Sequence, residues 1–264
     1  MSRRYKIVIA FDGTAYSGYQ LQSNGVTVQQ RLEEVLEYLD RQPVRVFGSS
    51  RTDAGVHARG FCCHFDLDKP IPPKNLVRAM NSRLPEDIRV MRAAYARKDF
   101  DVRKDAKGKE YRYFLYNGDI LPPHLVPYWA FQHRPLDIVA MQAAAANFVG
   151  RHDFVSFAAN PRREISSTVR NIFAFTVKRT GPRIVFSVKG DGFLYKQVRS
   201  MVGFLIRVGL GEEKPSAVAD MLKNCPPRTA RVPTATGRGL FLWKVFYGNK
   251  ALLSSKPSSN QIAL

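Results

Sequence analysis

The stretch Gly48-Ser-Ser-Arg-Thr-Asp-Ala-Gly-Val-His-Ala58 is small and polar, and it stands between two apolar runs, Val44 to Phe47 and Phe61 to Leu67. The flanking runs are rich in β-branched and aromatic residues, which pack well on a pleated surface. Each therefore reads as a strand, and the polar stretch reads as a loop between sheet elements. Upstream, Tyr5 to Phe11 (YKIVIAF) reads as a first strand, ended by the turn chemistry of Asp12-Gly13-Thr14. Thr27-x-x-Gln30 then forms a capping box ahead of a helix. Val28, Leu32, Val35, Leu36 and Leu39 share one face of that helix, with Glu33, Glu34 and Glu37 outside it. Ile88 to Tyr95 reads as a further strand with a weaker pattern.

Downstream, Arg97 to Gly108 is charged and aperiodic, as suits a connection between domains. Strand-like Tyr111 to Tyr116 restarts the pattern, and a helix runs from an Asp137 cap through Met141, Ala144, Ala145 and Phe148 to a Gly150 stop. Ile172 to Lys178 and Ile184 to Lys189 pair as a hairpin across Arg179-Thr-Gly-Pro-Arg183. A helix with Val198, Met201, Val202, Leu205 and Ile206 inward follows, and Leu240 to Tyr247 is a last strand. Strands and helices mixed through short hairpin links, without strict alternation, argue for an α+β fold with largely antiparallel sheet. The expected organisation is an N-terminal α+β domain over 1–104, a C-terminal one over 105–250, and a Ser-rich disordered tail over 251–264. The repeated element order suggests that the two halves are a duplicated unit.

Charge says most about partners. The 264 residues hold 41 Lys and Arg against 22 Asp and Glu, a formal charge of +19, and the sequence pI is near 10.1. Ala158 to Arg207 alone has ten basic residues against Glu164 and Asp191, and Met221 to Lys250 has six more and no acid. A polyanion, nucleic acid above all, is the leading partner; the plainer alternative is a basic surface kept for solubility. A membrane partner fits poorly. No run approaches the roughly 18 consecutive apolar residues of a span, and the charges lie along strand-like and loop-like sequence instead of one helix face. The basic start is followed only by Ile7 to Phe11 before Asp12 and Gly13, so it reads as a strand and not a signal peptide. Three cysteines, with Cys62 and Cys63 adjacent and Cys225 remote, fit neither a disulfide framework nor a zinc spacing. Reduced thiols in a cytoplasmic protein are expected, with Cys62 and Cys63 pointing one inward and one outward from a strand and serving structure only.

The sequence lacks a Gly-x-x-x-x-Gly-Lys-Ser/Thr phosphate loop, a Gly-x-Gly-x-x-Gly after a strand, and a His-Glu-x-x-His pair. Chemistry is thereby left to side chains, and the candidate is the loop carrying Asp53. There a carboxylate stands between a guanidinium, Arg51, and small residues that let a substrate approach. Carboxylates with an ordinary pKa of about 3.9 are ionised at neutral pH and can act as nucleophile or base. An Asp before Ala-Gly also serves commonly as the start of an Asx turn.

Gly48 to Ala58 closely resembles the active-site motif of the TruA-type tRNA pseudouridine synthases. Asp12-Gly13 with Gly18-Tyr19-Gln20, Asn81 to Pro85 with Asp87-Ile88, Lys109-Glu-Tyr111-Arg-Tyr113, His152-Asp153-Phe154, and Phe193-Leu-Tyr195-x-x-Val-Arg199-x-Met-Val-Gly203 resemble that family in order and spacing. The resemblance covers residues from about 5 to 248. It implies two similar sub-domains with mostly antiparallel sheets around a central basic cleft, with helices on the outer faces. It also implies isomerisation of uridine to pseudouridine at positions 38, 39 or 40 of the tRNA anticodon arm, without cofactor or metal, by a homodimer. Asp53 is then the essential acid. Tyr111 packs on the target base, Arg199 lies beside Asp53, and Arg51 helps hold the flipped-out nucleotide or its phosphate. By strand alternation alone Tyr111 and Tyr113 share a face and fit core packing equally; the resemblance singles out Tyr111. Arg199 has a phosphate contact as its alternative and Arg51 a neighbouring carboxylate, while His57 reads as a structural hydrogen-bonding residue. Tyr19, Ser50 and Lys196-Gln197 depart from the Trp, Gly and Asn-Met frequent in the family.

Two other functions compete. A non-catalytic RNA-binding protein would equally carry the +19 charge, but it has no use for a carboxylate inside a basic cleft. A metal-dependent nuclease needs several convergent carboxylates, which the basic second half does not offer.

Overall fold

The computed structural model describes residues 2–159 and 166–248; the expected tail over 251–264, and Arg162, Arg163 and Glu164 of the basic run, lie outside the described residues. The elements run β1 (Arg3–Phe11), α1 (Val28–Asp40), β2 (Phe47–Gly48), β3 (His57–Leu67), α2 (Pro73–Asn81), β4 (Ile88–Tyr95) and β5 (Gly108–Asn117). They continue with β6 (Ala130–Gln132), α3 (Ile138–Ala146), β7 (Gly150–Asp153), β8 (Val169–Thr180), β9 (Arg183–Gly190), α4 (Gln197–Gly209), α5 (Ala217–Asn224) and β10 (Leu240–Phe246).

The expected α+β fold with a mostly antiparallel sheet is present, and the strands of both halves meet in one sheet of order β4-β1-β3-β10-β5-β9-β8-β7. β10 makes the seam. It pairs in parallel with the start of β3 at Phe241↔His57 and Leu242↔Ala58, and antiparallel with β5 at Leu242↔Tyr111. Alternation along β10 sends Leu240 and Leu242 into the main core and Phe241 and Trp243 into a smaller cluster with Phe114, Leu125 and Trp129 on the other face. The end of the chain thus locks the loop before β3 against the strand that carries Tyr111.

Several local expectations shift. Thr27 Oγ1 accepts from Gln30 N at 3.3 Å, but the Gln30 side chain donates to Glu34 Oε1 at 2.9 Å, so only half of the capping box forms. The strand read over Val44 to Phe47 shrinks to Phe47 and Gly48, and β3 starts at His57, taking His57 and Ala58 out of the loop. α2 was missed because Pro72 and Pro73 look like a loop, whereas proline at a first helical turn is well tolerated; only Leu76 and Met80 of this helix are buried. Cys62 and Cys63 do alternate across β3, yet both are buried, because Tyr19 covers one face and the side of Lys6 and Tyr247 covers the other. Among the described residues no helix is long and apolar enough to cross a membrane.

Candidate active site

Two loops build the floor. In the first, Val56 N donates to Asp53 O at 3.2 Å and Gly55 sits at a φ of 70°, closing a tight turn over Ala54-Gly55. The second, Asp12 to Gln20, lies directly on that turn. A Cβ on Gly13 would come within 2.1 Å of the Val56 carbonyl oxygen, and one on Gly18 within 2.4 Å of the Thr52 carbonyl oxygen. Only glycine permits this approach, which is what the two glycine motifs near the N-terminus supply.

The turn leaves the Asp53 carboxylate pointing across the seam. Arg199 Nη1 donates to Asp53 Oδ2 at 2.6 Å, and Arg199 Nε donates to the Ala235 carbonyl at 2.7 Å. Ala235 N returns a bond to Arg199 O at 3.1 Å, so the guanidinium is clamped from both ends. The helix stripe of Val198, Met201, Val202 and Leu205 is buried while Arg199 lies off it, as expected from the sequence. The pair keeps partial solvent access, with the side chains 15% and 23% exposed. What the short charge-assisted bond does is orient the carboxylate.

Tyr111 forms one wall. Its hydroxyl lies 3.0 Å from Ser50 Oγ and its ring meets Phe193 edge-on, with centroids 5.2 Å apart. Burial pushes its phenol up to about 12, and the Asp53 charge adds to the rise, so the ring stays a neutral surface at any ordinary working pH. Tyr113 shares the same face of β5 but is buried behind it and outside the cleft lining. Arg51 stands exposed at the rim. The cleft has a volume of about 390 Å³, in the range that holds small ligands. Its lining carries five cations, Arg51, Arg103, Lys109, Lys196 and Arg199, against one carboxylate, Asp53. Arg103, Lys109, Phe193 and Tyr195 are cleft residues to which sequence reasoning gave no role. Arg103 was hidden in the stretch read as a connection; Lys109 could have been found, being two residues from Tyr111 on one strand and hence on the same face.

His57 faces away from all of this. Its side chain is fully buried; Nδ1 accepts from Gly13 N at 3.0 Å, and Nε2 lies 3.1 Å from the carbonyls of both Pro127 and Arg238. The ring stacks on Phe241 at 4.5 Å. Burial moves its pKa below the ordinary 6.5, although Asp12 at 3.1 Å pulls the other way. A neutral imidazole holding three backbone segments together is a structural part, not a proton shuttle. Among the described residues no cluster of three or more His, Cys, Asp or Glu side chains could hold a metal ion.

Comparison with known proteins places this geometry. A family model described as tRNA pseudouridine synthase matches residues 7–104 and 144–248. The chain belongs to the tRNA pseudouridine synthase family. The tRNA pseudouridine synthase A of Exiguobacterium sibiricum is 43% identical over 249 residues, covering 93% of this chain and 97% of that one. Its counterparts from Limosilactobacillus fermentum (43% identity, 94% of this chain and 97% of that one) and Geotalea uraniireducens (41%, 93% and 100%) match over nearly the whole length as well. The residues matched by the family model include the loop carrying Asp53 and the helix carrying Arg199, while the strand carrying Tyr111 lies between its two matched stretches.

Proposed function

We propose that this chain isomerises uridine to pseudouridine at position 38, 39 or 40 in the anticodon stem-loop of tRNA, with Asp53 as the reacting carboxylate. The observation that carries the reading is the Asp53–Arg199 pair at 2.6 Å inside a cleft whose other charged lining residues are all cations and one of whose walls is the neutral Tyr111 ring. The isomerisation breaks the bond from ribose C1′ to uracil N1, turns the base, and forms a bond from C1′ to C5. The C5 hydrogen leaves as a proton and N1 gains one, so nothing is oxidised or consumed and no cofactor is called for. Asp53 can serve by attacking the sugar or the base, or by taking a sugar proton. Arg199 holds the carboxylate in place, Tyr111 offers its face to the extruded base, and Arg51 at the rim grips the flipped-out nucleotide or its phosphate. Expulsion of a base from its stack costs a few kcal/mol, which these contacts offset.

The basic surface suits a long RNA, and the active form proposed is a homodimer in the cytoplasm. A non-catalytic RNA-binding role is disfavoured by the position of Asp53, since a carboxylate within the cleft repels the phosphates a pure binder needs. The test is single-turnover conversion of an in vitro transcribed tRNA bearing uridines throughout the anticodon arm, with product mapped chemically and no metal or nucleotide added. Pseudouridine confined to positions 38 to 40 supports the reading. Tight, salt-sensitive binding with no product at any uridine overturns it in favour of the binding role.

A further inference from the structure

Lys109 lies two residues before Tyr111 on β5, and strand alternation turns it into the same cleft. Its backbone is held between Gly190 of β9 and Val245 of β10, so the side chain is set by two flanking strands. It is half-buried, and among the described residues its ammonium has no hydrogen bond or ion pair.

The groups around it are mostly cations. Arg103, from the segment before β5, lines the cleft with its Nε bonded to the Gly48 carbonyl at 2.8 Å, and Arg170 on β8, outside the cleft lining with Nη1 bonded to the Ser167 and Val169 carbonyls, is close enough to repel the ammonium. Arg51, Tyr195, Lys196 and Arg199 line the same cleft. The nearby acids are spoken for. Asp53 is paired with Arg199 and Glu110 faces the other side of β5 with Arg112; Asp101 accepts from the backbone of Arg103 and Lys104, and Asp191 from Asn171 N. Desolvation, followed by the repulsion of Arg103 and Arg170, pushes the Lys109 ammonium down to about 8. An unpartnered, desolvated cation facing like charges is costly in the free protein, and such a cost is kept where an anion arrives to relieve it.

We propose that Lys109, flanked by Arg103 and Arg170, forms an anion subsite that grips a backbone phosphate of the RNA next to the nucleotide presented to Asp53. The proposal rests on the RNA-isomerising reading above. Lys109 is in this account a binding residue without a part in bond breaking: a compact ammonium suits a phosphate oxygen, and the neighbouring guanidinium groups frame the site.

The test uses the full chain with Lys109→Met and Lys109→Arg variants and a tRNA transcript as probe. With Lys109→Met the slope of log affinity against log salt falls by about 0.7 to 0.9, one phosphate's share, while Lys109→Arg keeps it. Between pH 7 and pH 9 wild-type affinity drops about tenfold as the free ammonium loses its proton, and Lys109→Arg abolishes that drop. At saturating protein the single-turnover rate of Lys109→Met stays within about twofold of wild type, and its melting temperature rises because an unpaired charge has been removed. An unchanged salt slope and pH dependence in Lys109→Met, with wild type converting the same RNA, overturns the subsite and leaves the isomerase reading intact. A fall in rate at saturation with affinity unchanged also overturns it, by assigning Lys109 to the chemistry. If wild type shows the Lys109-dependent slope and pH effect but converts no uridine, the subsite stands and the isomerase reading fails.

Discussion

Asp53 and His57 lie in one short stretch, yet they face opposite sides of the sheet seam and do different work. Asp53 looks into the cleft, keeps solvent access and has a single strong partner, Arg199. His57 looks toward the second core cluster, is fully buried, and is bonded to the Asp12–Gly13 loop, to Pro127 and to Arg238. One short motif therefore splits into an end proposed to react and an end that fastens. The division predicts that damage at one end removes rate without stability, and at the other removes stability first.

The largest effect belongs to the reacting end. Asp53→Asn keeps an oxygen for Arg199 and lowers the single-turnover rate more than about 10³-fold, with tRNA affinity and melting temperature close to wild type. At the fastening end, His57→Ala strands the Gly13 N–H and two carbonyls and empties a stack on Phe241, costing about 3 kcal/mol of unfolding free energy by denaturant titration. Equal losses of rate and stability in both variants would dissolve the distinction. Arg199→Met removes the clamp between Asp53 and Ala235 and lowers the rate about 10²-fold through a misplaced carboxylate, while denaturant midpoints stay near wild type.

A pH series sharpens the same contrast. The imidazole of His57 is held neutral with its pKa below 6.5, whereas the unfolded chain takes up a proton near that value. The unfolded state thus binds more protons below pH 6.5, so this contribution is fully present above 6.5 and is lost as pH falls toward the folded value. His64 is lowered in the same sense, again by burial first. Denaturant midpoints of wild type and His57→Asn at pH 7 and pH 5 should converge at the lower pH; a gap that widens on acidification contradicts the buried neutral ring. The smallest expected effect is Ser50→Ala, which frees the Tyr111 hydroxyl from a 3.0 Å contact and raises the tRNA concentration for half-maximal rate about threefold, leaving the saturated rate alone.

Much of this was legible in the chain. The β-branched and aromatic content of YKIVIAF, the Asp137 cap and the hairpin across Arg179 to Arg183 each specify their element locally, and all three are present. Asp53, Tyr111 and Arg199 were named from resemblance, and the fold brings them together around one cleft. What could not be read is non-local. The seam depends on β10, at the far end of the chain, pairing with only Phe241 and Leu242 to β3, a two-residue register no periodicity announces. Arg103 sits in a segment without pattern, and its place in the cleft comes from a bond to the Gly48 carbonyl, 55 residues away in sequence. The burial of both Cys62 and Cys63 depends on what covers each sheet face, which alternation cannot tell.

Release of tritium from uridine C5 of a labelled tRNA transcript, followed for wild type and Asp53→Asn at saturating protein, tests the central claim most directly. The account predicts release from wild type and none above background from Asp53→Asn, although both bind the RNA equally well. Release from Asp53→Asn at a rate near wild type would contradict it.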